Sequence, residues 1–101
     1  MMSKTYYSDY VRHALRFYTR NHPTKPIFNS DVDKNNWVSC DIVLSKYPVN
    51  YQKIFIDVYS GYDTLPDQVY NASKKYKIDQ NIIWDRMKEV EKRIAKKRGL
   101  L

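Results

Sequence analysis

The chain has one cysteine, two glycines, four prolines and two histidines in 101 residues, and each scarcity removes a class of protein. The lone Cys40 permits neither an intrachain disulfide nor a cysteine-built zinc site, and it suits a reducing compartment. Free cysteine usually packs as a small apolar residue, so a buried place is expected for it. His13 and His22 lie near one end with no motif around them. No phosphate-cradling glycine loop, zinc spacing or nucleophile elbow occurs, so the reading is not an enzyme, with no cofactor and no metal. Asp31 and Asp33 read better as helix N-terminal charge than as metal ligands. No apolar run approaches the roughly 18 residues that a membrane span needs, and no signal-peptide core opens the chain. A cytoplasmic protein is the expectation.

What is present is positive charge and helical period. The formal net charge is +7 with a pI near 9.5, which favours a polyanionic partner because each neutralised phosphate releases condensed counterions. A first helix is expected over 3–19, with Tyr7, Tyr10, Val11, Ala14, Leu15 and Tyr18 on its apolar side. Asn21, His22 and Pro23 end it, and residues 21–29 read as a linker that could let this helix move. Ser30 caps a second helix that is expected to bury Val32, Trp37, Cys40, Ile42, Val43 and Leu44 around its faces and to stop at Tyr47 and Pro48. Asn50 is the expected cap of a third helix with Ile54, Phe55, Val58 and Tyr59 inward. Gly61 closes it, Pro66 stands in the first turn of a fourth helix, and a fifth follows Asp79 and ends at Arg98 and Gly99.

The segment 69–94 is the most informative. Ile83, Met87, Val90 and Ile94 recur at i, i+4, i+7 and i+11, which is one stripe of a helix. A shorter helical pattern ends near Tyr76, and the polar stretch Lys77-Ile78-Asp79-Gln80-Asn81 separates the two, with Asp79 placed as an N-cap. Helix, tight turn and capped basic helix make the layout of a helix-turn-helix. The reading is therefore an all-α domain of about five helices over 1–101. Residues 48–101 would form the helix-turn-helix, and 1–47 would brace it or form a dimer.

From Tyr47 to Arg98 the chain resembles region 4 of sigma-70-type factors. More narrowly, it resembles phage-encoded transcription regulators of the ArpU and RinA kind. Ile78 falls on the apolar turn position, Asp79 on the cap, and Ile83, Met87, Val90 and Ile94 on the buried positions. In the N-terminal half, residues 9–15 and Asn36-Trp37 resemble small phage proteins of Gram-positive hosts. Three departures stand out: Lys77 occupies the turn's glycine slot, Ser73 an alanine-like slot, and Trp84 a slot that is usually polar. The resemblance implies a sequence-specific regulator that binds double-stranded DNA, with RNA polymerase as a further partner.

Docking of such a motif would bring Gln80, Asn81, Trp84, Asp85 and Lys88 to base edges. Gln and Asn can pair with adenine and Asp with the cytosine amino group. Trp84 would either stack on the DNA or pack against the N-terminal helices. Lys74, Lys75, Lys77, Arg86 and Lys92 are the phosphate candidates, while Lys96 to Arg98 fit a solvated, dipole-favoured helix end. Arg12, Arg16 and Arg20 repeat every four residues, as a second phosphate ridge or as partners of Asp31, Asp33 and Asp41. Ten tyrosines suit helix contacts or a homodimer interface. Two other readings remain: an adaptor that sets its basic face against RNA polymerase or a sigma factor, and a packaging protein like a small terminase subunit.

Overall fold

In a computed structural model, which describes residues 7–22 and 24–101, the chain runs through five helices and, among those residues, no strand. They are α1 (Ser8–Asn21), α2 (Asp31–Ser45), α3 (Val49–Ser60), α4 (Leu65–Tyr76) and α5 (Gln80–Lys97). The caps explain most boundaries. Ser30 Oγ accepts from the Asp33 amide at 3.2 Å, Thr64 Oγ1 from the Asp67 amide at 3.4 Å, and Asp79 Oδ1 from the Asn81 amide at 2.7 Å. Each satisfies a donor that the first helical turn would leave unpaired.

Two boundaries differ from the sequence expectation. The first helix begins at Ser8, with Tyr7 already in a turn, and reaches Asn21. The earlier part of the expected span, from Ser3, and the expected terminator Pro23 lie outside the described residues. Asn21 Nδ2 donates to the Phe17 carbonyl at 2.8 Å, which satisfies one orphan acceptor of the last turn. The third helix starts at Val49 rather than being capped by Asn50. Pro48 fixes the entry with φ −55°, and the Gln52 amide side chain reaches back to the Tyr47 carbonyl at 2.7 Å.

The last two helices end alike. After α5, Gly99 takes φ 73° and the Leu100 amide donates to the Ala95 carbonyl at 2.8 Å. After α4, Lys77 takes φ 55° and the Ile78 amide donates to the Ser73 carbonyl at 3.1 Å. Both are Schellman endings, with Leu100 and Ile78 packed on the core. Lys77 thus adopts the glycine conformation without being glycine, at a cost of about 1–2 kcal/mol. Lys77→Gly is expected to raise stability by roughly 1 kcal/mol after the extra entropy of unfolded glycine, which is about 4 °C in Tm for this size. An unchanged or lower Tm in thermal denaturation would contradict the strain.

All five helices contribute to one core: Val11 and Leu15, Trp37 and Cys40, Phe55 and Tyr59, Val69 and Ala72, and Ile83, Met87 and Ile94. On α2, Trp37, Cys40, Val43 and Leu44 are buried, but Val32 is 51% and Ile42 36% exposed. Ile42 lies about 200° around the helix from Cys40, so the face that buries one turns the other outward. Burial, with neighbouring Asp41, pushes the Cys40 thiol up to about 12. Trp37 is an aromatic hub, 4.6 Å from the Tyr18 ring and about 6 Å from Phe17 and Phe28.

Arg12 and Arg20 of the α1 arginine stripe are structural, and their partners are not Asp31, Asp33 or Asp41. Arg12 Nε donates to Glu91 Oε2 at 3.0 Å, and the Tyr59 hydroxyl donates to the same oxygen at 2.6 Å. Arg20 donates to the carbonyls of Ser60 and Gly61 and stacks over Tyr62 at 4.0 Å. Asp41 instead accepts from the Tyr18 hydroxyl at 2.7 Å. These bonds tie α1 to α2, α3 and α5, so the linker does not leave α1 loose.

Desolvation first, then the Glu91 carboxylate, raises the Tyr59 phenol well above its ordinary range. A folded pKa above the unfolded value keeps its stabilisation in full below about pH 10, and it is lost as pH climbs from there towards the folded value. Stability is therefore expected to fall by about 1.4 kcal/mol per pH unit above 10 from Tyr59 alone. Denaturant titrations at pH 8, 10 and 11 check this, and Tyr59→Phe should flatten the decline.

Candidate nucleic-acid interface

Three residues, Lys77 to Asp79, separate α4 from α5, the spacing of a helix-turn-helix turn. Val69 and Ala72 on α4 and Ile83 and Met87 on α5 are buried, with Ile78 of the turn half-buried beside them. Ala72 is the small buried residue here, while Ser73 is half-buried and its hydroxyl donates to the Tyr70 carbonyl at 2.9 Å. The turn thus meets the lysine departure by the left-handed backbone and the serine departure by a local hydrogen bond.

Asn81, Asp85, Lys88 and Lys92 are all exposed, and at about 100° per residue they form one outward stripe of α5. Gln80 is also exposed, at the edge of that stripe nearer the core. Trp84 is half-buried and packs against the core. Of the two places expected for it, this is the inward one. A stripe of Asn, Asp and two lysines at the capped start of a helix offers donors, an acceptor and charge to a polar surface.

The cations divide. Lys74 is exposed and stands over the Tyr70 ring at 5.3 Å, and Lys77 is exposed in the turn. Lys75 is engaged elsewhere: its ammonium lies 2.9 Å from Asp57 Oδ2, which also accepts from the Tyr76 hydroxyl. Those contacts, the Asp57 hydrogen bond first, raise the Lys75 pKa. The pair fastens α4 to α3. Arg86 sits about 200° around α5 from Lys88 and faces Glu89 at 3.6 Å. Glu89 accepts from the Tyr47 hydroxyl at 2.7 Å and faces Arg93 at 3.9 Å, and chiefly that hydroxyl holds its carboxyl below the usual range. Lys74, Lys77, Lys88 and Lys92 therefore stand free of the ion pairs that hold Lys75 and Arg86.

Tyr70, 48% exposed on α4 beside Lys74, is a surface feature that the sequence expectation does not include. Its signal is the Tyr70–Lys74 spacing of four, which places an aromatic face under a cation. Among the described residues no helix is long and apolar enough to cross a membrane. No protein-family model, curated protein or solved structure matches this chain.

Proposed function

We propose that the protein is a sequence-specific double-stranded DNA-binding transcription regulator of phage or prophage type, with α4 and α5 as a sigma-70 region 4-like helix-turn-helix. The observation that carries the reading is the pairing of two features. A three-residue turn with a left-handed Lys77 leads into the Asp79 cap, and an exposed polar and basic stripe starts immediately beyond it. In this reading Asn81 and Gln80 pair with adenine edges, Asp85 accepts from a cytosine amino group, and Lys88 reaches a base or its phosphate. Lys74, Lys77 and Lys92 hold the backbone. Trp84 serves by holding the helix start against the core rather than by reading bases. Residues 8–45 brace α5 through Glu91 and Arg98, the latter donating to Asn36 at 2.6 Å.

The testing experiment is fluorescence anisotropy of a labelled random duplex over a salt series. Binding at low salt with a steep loss as salt rises supports the reading. Absence of binding at low salt overturns it in favour of an adaptor that contacts protein.

A further inference from the structure

A groove of about 370 Å³ runs between α2 and the C-terminal half of α5, lined by Ile42, Val43, Lys46, Arg93, Lys96 and Lys97. Four of its six walls are cations, and no acid is among them. Its surface is nevertheless mainly apolar, because long basic side chains lay their methylene stems along a groove and keep their charges at the rim. Ile42 stands on one edge, and Val38, one turn before it and 36% exposed, extends the apolar edge along α2. The DNA reading uses none of these residues. Arg93 and Lys97 lie about 140° and 180° around α5 from Lys88, so that wall of the groove faces away from the stripe beyond Asp79, and only Lys96, about 40° from Lys92, borders it.

We infer that this groove docks an acidic amphipathic helix of a partner protein. The partner's leucine-type side chains enter between Ile42, Val43 and the lysine stems, while its carboxylates meet Lys46, Lys96 and Lys97, Arg93 being already turned to Glu89. Charge complementarity chooses the sign of the occupant. The shape suits one face of a helix: one turn of α2 and one turn of α5 form its walls and it is partly open to solvent, whereas small-molecule sites enclose most of their ligand. A row of apolar anchors at i, i+3 and i+4 follows such a groove. The α2 wall and the Arg93 and Lys97 side of the groove lie clear of Asn81 and Lys88, and the two surfaces meet only at Lys96.

The probe is a labelled peptide made helical by Ala and Glu, with Leu at i, i+3, i+4 and i+7. The control is a peptide of the same composition with its leucines scattered around the helix. Anisotropy is read against the full chain, Ile42→Asp, and Lys96→Glu/Lys97→Glu. The amphipathic peptide should bind, with the scattered one at least about tenfold weaker and Ile42→Asp weakening binding by about as much. The double charge reversal should weaken it and make the residual binding less sensitive to salt. Both variants alter exposed side chains, so circular dichroism is expected unchanged, and Ile42→Asp, on α2 rather than α5, should keep most of its random-duplex binding. Equal binding of the two peptides overturns the groove in favour of plain charge attraction. No binding of either peptide, or full binding to Ile42→Asp, overturns it as well. So does a loss of peptide binding on Lys88→Ala as large as on Ile42→Asp, which would put the peptide on the DNA stripe.

Discussion

Arg12→Ala is expected to destabilise the fold by about 3 kcal/mol, the largest loss from any single side chain outside the apolar core. Glu91 is 4% exposed, and its Oε2 takes both the Arg12 guanidinium and the Tyr59 hydroxyl. Removing Arg12 leaves a carboxylate out of water with one neutral donor, and an uncompensated buried charge costs about 3–5 kcal/mol. Arg12 keeps 23% of its side chain in solvent, so water partly replaces it and the lower end applies. For a domain of this size the loss is about one fifth to three fifths of total stability, about 15 °C in Tm. Arg12→Met/Tyr59→Phe/Glu91→Leu should recover most of it, because matched apolar groups remove the desolvation penalty together with the pair. Urea unfolding of the two variants checks both parts. If Arg12→Ala matches the parent in urea midpoint, the triad is ornamental.

That triad also marks where the sequence stops being legible. Arg12 and Glu91 are 79 positions apart, and each looks like an ordinary helix-surface charge in its own neighbourhood. Yet Glu91 lies four residues after Met87 and three before Ile94, within the buried stripe, and this position is the available signal. Caps and turn are legible because their determinants are local: Ser30, Asp79 and the slot of Lys77 each act within four residues. α2 is less legible, since apolar residues occupy most of its faces and period alone gives no direction. Packing of α1 and α5 against it decides that Cys40 is buried and Ile42 exposed. Lys75 cannot be told from Lys74 in sequence, because Asp57 arrives from the preceding helix.

Division of the α5 cations into two faces gives the second large effect. Lys74→Ala/Lys88→Ala/Lys92→Ala is expected to lower random-duplex affinity by about a thousandfold near 0.1 M salt, roughly tenfold for each phosphate left without its lysine. The slope of log affinity against log salt should fall by about 0.9 for each, close to 3 in all. Arg86→Ala/Arg93→Ala removes two charges from α5, the helix of Lys88 and Lys92, but from the side tied to Glu89, and its slope should stay near that of the parent. A net-charge effect would instead make the two variants scale with charges removed. Asp85→Asn should move the other way on random sequence, since it lifts a negative charge off the stripe. On a duplex selected for tight binding it should lose about 1–3 kcal/mol of discrimination at one base pair. All these side chains except Arg86 are exposed, where substitutions usually change stability by less than about 0.5 kcal/mol, so binding changes would not reflect unfolding. A triple variant that binds like the parent would move the polyanion site away from α5 altogether, and with it the reading of α4 and α5 as a DNA-binding pair.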